Sequence, residues 1–116
     1  MGAAFDMNQW TTQLRKGIVE LAVLAVVRRG DTYGYRVVEE LRQLAGLDLS
    51  ESTVYPLLAR LAKEDLLAVK TVPSQIGPPR RYYRLTPAGR DRLHDMTTLW
   101  ATTTDTMNQL LQGESR

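Results

Sequence analysis

A chain of 116 residues and 13.1 kDa corresponds to a single domain that can bury one hydrophobic core without covalent staples. The absence of cysteine and the single histidine, His94, exclude a disulfide scaffold, a thiol nucleophile and a sulfur-bound or multi-histidine metal site. Net charge is only +2, yet residues 60–92 hold eight basic side chains against three acidic ones, a local +5 suited to a phosphate-bearing partner.

Residues Met1 to Thr12 have neither the basic nor the apolar part of a signal peptide. The longest apolar run, Leu21 to Val27, is too short to span a bilayer, so a cytoplasmic location is expected. Leu14, Ile18, Leu21, Ala22 and Ala25 follow helical spacing and predict a first helix from about Asn8 to Arg29, ended by Gly30. Asp31 or Thr32 is the expected cap of a second helix, Tyr33 to Ala45, with Val37, Val38, Leu41 and Leu44 turned inward and Gly46 as its stop. A third helix follows from an N-cap at Ser50, with Val54, Leu57, Leu58 and Leu61 as its apolar stripe. Its opposite face carries Ser52, Pro56, Ala59 and Lys63, flanked by Arg60 and Tyr55. Pro56 removes one helical hydrogen bond, to the Ser52 carbonyl, on that exposed face.

Leu66 to Val72 and Arg81 to Leu85 read as two strands of a ribbon, separated by a loop with three prolines and a glycine. Thr86 and Pro87 are a favoured N-cap and first position for a last helix that runs to about Gln112. Along it Leu93, Met96, Trp100, Thr103, Met107 and Leu110 are spaced 3, 4, 3, 4, 3, a short heptad seam. Six threonines between Thr97 and Thr106 weaken its helix propensity, so the seam calls for a packing partner, such as Met7, Trp10 and Leu14 of a second copy.

Two helices joined by a short turn and followed by a β-ribbon give a mainly α (α+β) fold, a winged helix-turn-helix with added N- and C-terminal dimerisation helices. Residues 8–86 form the DNA-binding domain in this reading, and residues 87–112 the dimerisation helix. Small hydrogen-bonding groups at the start of a recognition helix suit the major groove, and Ser52, Thr53 and Tyr55 provide them. Arg60 and Lys63 fall where phosphates pass, and Arg80 and Arg81 of the wing can reach the backbone or an adjacent minor groove. Tyr82 and Tyr83 alternate, so one packs inward and the other borders the DNA surface.

The run LDLSESTVYPLLARLAKEDLL, then PPRRYYRLTPAGR, together with Tyr33-Gly34-Tyr35 upstream, resembles the PadR family of bacterial transcriptional regulators over about Leu21 to Arg92. Asp65 departs from the glycine usual there. The resemblance implies a homodimeric repressor on a palindromic operator, with Tyr33, Ser52, Thr53, Tyr55, Pro56, Arg60, Lys63, Arg80, Arg81 and Tyr83 toward double-stranded DNA. It places dimerisation on the first and last helices, through Trp10, Leu14, Leu93, Met96, Trp100, Met107 and Leu110. Some short members bind planar aromatic compounds around a tryptophan equivalent to Trp100, which nominates Trp100, Met96 and Leu14 as an effector site. No cofactor or metal is implied, and neither a nucleophile–base pair nor a glycine-rich phosphate loop supports an enzyme. Two other readings stay open: a winged-helix module that docks on protein, and a nonspecific DNA-binding protein.

Overall fold

The computed structural model describes residues 4–44 and 49–113. Asp6 starts the first helix, α1 (Met7–Val27), by accepting the Gln9 N–H at 3.1 Å, a cap the apolar pattern did not reveal. Val23, Leu24, Val26 and Val27 bury its C-terminal half, and the chain turns at Gly30. Thr32–Tyr33 then forms a two-residue strand, β1, before α2 (Gly34–Gln43). This corrects the expectation that Asp31 or Thr32 caps a helix beginning at Tyr33. Thr32 and Tyr33 instead pair in antiparallel register with Tyr83 and Tyr82, because their extended backbone completes a sheet edge that the distant ribbon supplies. Val37, Val38 and Leu41 are buried as expected, whereas Leu44 lies past the end of α2 and is exposed. The expected stop at Ala45 and Gly46 lies outside the described residues.

Helix α3 (Glu51–Lys63) presents Val54, Leu57, Leu58 and Leu61 to the core and continues through Pro56. The Ser50 carbonyl takes the N–H groups of Thr53 and Val54, both at 3.0 Å. The Ser50 hydroxyl makes no cap bond and meets the Ser52 hydroxyl at 2.8 Å. Strands β2 (Leu67–Val72) and β3 (Arg80–Leu85) form the wing, and β3 is central in the order β1-β3-β2. The core joins α1, α2 and α3 to Leu66, Leu67, Tyr83, Leu85 and Leu93, each such side chain contributing about 1.5–3 kcal/mol on full burial.

The end of α3 is a Schellman turn: the N–H of Asp65 bonds to Ala62 O at 3.0 Å and that of Leu66 to Leu61 O at 2.9 Å. Asp65 adopts φ +61° to close it, a conformation that costs a non-glycine residue about 1 kcal/mol. Asp65→Gly is therefore expected to stabilise the chain by up to about 1 kcal/mol, read as a higher thermal midpoint. A lower midpoint would show that the aspartate side chain compensates for its backbone.

The last helix, α4 (Pro87–Gln112), is capped by the Thr86 hydroxyl, which accepts the Gly89 N–H at 2.9 Å and donates to Asp65 O at 2.7 Å. Several of its threonines turn their hydroxyls back onto the helix, as Thr97 does to Leu93 O at 2.8 Å and Thr104 to Trp100 O at 3.0 Å. That satisfies the polar group without a tertiary partner. Beyond Leu93 and Met96, α4 is almost wholly exposed, and the radius of gyration is 17.3 Å where a compact chain of this length has about 13 Å.

Candidate nucleic-acid interface

Ser52, Pro56, Ala59 and Lys63 all lie exposed along the outer face of α3, as the helical projection expects, and Thr53 is exposed on the side toward α1. Ser50, Ser52 and Thr53 gather three hydroxyls at its N-terminus, with Ser50 Oγ 3.5 Å from Thr53 Oγ1. Hydroxyls that bond only to one another retain donor and acceptor capacity for a base edge. Tyr55, half-exposed on the flank, sets its ring edge against Gly34, the first residue of α2. Burial raises the Tyr55 pKa, and the Glu51 carboxylate with the Tyr83 and Tyr35 hydroxyls adds to the shift. Its phenol therefore stays protonated at neutral pH and remains a donor.

The wing returns beside this face. Arg80 stacks over the Tyr33 ring at 4.6 Å, and Tyr33 meets Tyr82 edge-on at 5.4 Å between centroids. Arg81 is exposed next to it. Between α2, α3 and the wing lies an open groove of about 470 Å³, lined by Tyr33, Gly34, Tyr35, Tyr55, Ala59, Pro79, Arg80, Arg81 and Tyr83. Among the described residues, Lys63, Lys70, Arg80, Arg81 and Arg84 form no salt bridge. Of these, Arg80 and Arg81 line the groove beside α3 and Lys63 lies on the outer face of α3, whereas Lys70 and Arg84 line a separate concavity of the wing with Tyr82.

Three expected site residues sit elsewhere. Tyr83 is buried, only 7% exposed, because the alternation of β3 turns it inward behind Tyr55. It reaches the groove only as part of its floor, and Tyr82 is its outward neighbour. Arg60, expected at phosphates, bonds to Glu20 at 2.9 Å and Glu64 at 3.0 Å, which neutralises its charge within the chain. Leu93, expected on the dimerisation seam, is 4% exposed within this one chain and belongs to its core. Gly34 and Tyr35 also line the groove, and their signal in the sequence is the Tyr33-Gly34-Tyr35 run.

Glu20 holds Arg60 of α3 and, at 3.0 Å, Arg92 of α4. Partial burial by itself raises the Glu20 pKa, but the hydrogen bonds and charges of Arg60 and Arg92 prevail and hold it below its ordinary value. A depressed carboxylate stabilises the fold above its unfolded pKa, and that contribution fades as pH falls through the lower folded pKa. Glu20→Gln is expected to cost about 1 kcal/mol at pH 7, limited by the half-exposed guanidinium groups. The gap from wild type should close as pH drops below about 4. Denaturant titrations at pH 7 and pH 3 measure it, and a gap that does not depend on pH would dismiss the carboxylate as its source.

A second surface lies along α1 and α4. Trp10, Leu14, Leu99, Trp100, Met107 and Leu110 are exposed, and Met96 is partly buried against the core. Leu14, Ile18, Leu21, Met96, Leu99 and Trp100 help to line a largely apolar cavity of about 360 Å³ between the two helices. Among the described residues, no helix is long and apolar enough to cross a membrane.

Comparison with known proteins agrees with this fold. The chain is similar to a PadR-like transcriptional regulator from Bacillus cereus, with 35% identity and a TM-score of 0.78, covering 88% of this chain and 99% of that one. It is 28% identical over 80 residues to the negative transcriptional regulator PadR of Bacillus subtilis, covering 67% of this chain and 44% of the relative. A structure of Bacillus subtilis PadR in complex with operator DNA matches with 26% identity and a TM-score of 0.65, over 69% of this chain and 45% of that one. The transcriptional activator GvpE1 of Halobacterium salinarum is 38% identical over 68 residues, 59% of this chain and 33% of its own. Members of this family are transcriptional regulators, not enzymes. The model of the transcriptional regulator PadR-like family matches residues 23–95, and the chain belongs to that family.

Proposed function

We propose that this chain is a cytoplasmic, sequence-specific regulator that binds a palindromic operator as a homodimer, represses transcription, and is released by a planar aromatic effector. The observation that carries the reading is the hydroxyl tip of α3 together with a wing whose arginines form no salt bridge among the described residues. Residues 8–86 serve as the DNA-binding domain and residues 87–112 as the dimerisation helix. Repression follows the Bacillus subtilis negative regulator, whose match spans more of this chain than that of the activator.

Support for the homodimer comes from the exposed Trp10, Leu14, Trp100, Met107 and Leu110 on α1 and α4, together with the exposure of α4 beyond Met96. Two recognition helices in such a dimer meet half-sites about 34 Å apart. Support for the effector comes from the apolar cavity, where Trp100 offers a stacking face worth about 0.5–1.5 kcal/mol beyond area burial. Met96 beside it adapts to ligand shape. In a Trp10→Phe background, Trp100 emission should change with planar drugs or phenolic acids. Unchanged emission across the panel removes the effector from the reading.

Fluorescence anisotropy on the duplex upstream of the chain's own gene, against a scrambled duplex at two salt concentrations, tests the core claim. Specific binding should exceed nonspecific binding about a thousandfold or more at moderate salt. Thr53→Ala is expected to cost about 1–3 kcal/mol on the operator and little on scrambled DNA. Arg81→Ala should weaken both alike and reduce the salt slope by about one phosphate. Equal losses for both variants on both duplexes would refute this division of roles. No binding by a folded dimer would favour a protein-docking module.

A further inference from the structure

At the far end of the wing, residues 73–79 hold Ile76 out in water. Its side chain is 91% exposed, more than any other large apolar side chain described. The loop does not leave it there by slackness. The Ser74 hydroxyl donates to Ile76 O at 2.8 Å and accepts the Ile76 N–H at 3.3 Å, so one side chain grips both polar groups of the residue. Gly77 turns the chain at φ +94°, and Pro73, Pro78 and Pro79 fix their own backbone torsions. A stiff tip that presents an aliphatic side chain has little conformational entropy left to lose on binding.

Its surroundings favour a polyanion. No Asp or Glu occurs between Asp65 and Asp91, whereas Lys70, Arg80 and Arg81 flank the loop. The tip also continues the surface formed by α3 and the wing. A two-stranded ribbon is too wide for a minor groove about 6 Å across, but the single apolar side chain at its tip can enter one, with the cations of the flanking strands toward the phosphates. Resting on the DNA reading above, we propose that Ile76 is a wedge that enters the minor groove flanking each half-site and opens a flexible base step. Selection there acts on deformability, since pyrimidine–purine steps unstack readily and A-tracts resist.

The test uses the full chain and a randomised 40-base-pair duplex library, with wild type, Ile76→Ser, Ile76→Leu and Thr53→Ala selected in parallel. Wild type and Ile76→Leu should enrich TA or CA steps outside the half-site core and bend the selected duplexes by at least about 20°, read by end-to-end energy transfer. Ile76→Ser should keep the core sequence, lose the flanking preference and the bend, and bind the selected duplex on the order of tenfold more weakly. Thr53→Ala should lose core information and keep the flank. An exposed tip residue does not carry the fold, so melting of Ile76→Ser should match wild type. Equal flanking enrichment and equal bending by wild type and Ile76→Ser would overturn the wedge while the DNA reading stands. Failure of wild type to enrich any sequence would overturn both.

Discussion

Gly89→Ala should lower the thermal midpoint of the chain by roughly 10 °C, a loss of about 2 kcal/mol or more. Gly89 sits in the first turn of α4, where a methyl group would run into the Leu66 carbonyl oxygen, with the Leu66 carbonyl carbon at 3.1 Å and a Leu85 methyl at 3.2 Å. The obstacle is backbone, so no rotamer change relieves it. Leu66 O also accepts the Thr86 N–H at 3.1 Å, and displacing it would loosen the cap that starts α4. Alanine gains up to about 1 kcal/mol over glycine in a helix, and the clash exceeds that gain. Ala88→Gly, one residue earlier on the exposed side, is the control and should cost less than about 1 kcal/mol. Circular dichroism melting compares them. An unchanged midpoint in Gly89→Ala would mean that α4 is not wedged against the start of β2.

The second large effect concerns binding. A methyl group on Gly34 would overlap the Tyr55 ring, whose Cδ1 lies 2.9 Å and Cζ 3.3 Å from the ideal Cβ position. Here the obstacle is a side chain that can swing away, at a cost of about 1–3 kcal/mol in stability. Operator affinity is the more sensitive readout, because the displaced ring either blocks the groove or withdraws its donor. A loss of about 10- to 100-fold is expected, as for one or two base contacts. The double variant Gly34→Ala/Tyr55→Ala removes the clash and should recover stability without recovering affinity, a non-additivity that identifies the pair as coupled. Full affinity in Gly34→Ala alone would exclude Tyr55 from the interface.

The helices were legible because each signal was local. Val54, Leu57, Leu58 and Leu61 mark one face of α3 by spacing alone, and Thr86-Pro87 announces the start of α4. What escaped depends on residues far apart in sequence. Thr32–Tyr33 has no strand pattern of its own and becomes a strand only against Tyr83 and Tyr82. Arg60 has the sequence profile of a phosphate ligand, but its carboxylate partner Glu20 lies 40 positions away. The inward choice between Tyr82 and Tyr83 needs the register of the whole sheet, which periodicity leaves ambiguous by one residue. Asp65 shows the converse, since a departure from the family pattern appears as a measurable backbone angle.

The knot around Thr86 has a mechanical consequence. One hydroxyl joins the turn that ends α3 to the first turn of α4, and the neighbouring peptide bonds Thr86 to Leu66. A 26-residue helix is a lever about 39 Å long, and here its fulcrum is welded to the element that carries Ser52 and Thr53. A tilt of the lever's free end has no slack joint in which to dissipate. It turns α3 with it, so in the proposed homodimer small adjustments where two such levers cross become changes in the spacing between two recognition helices.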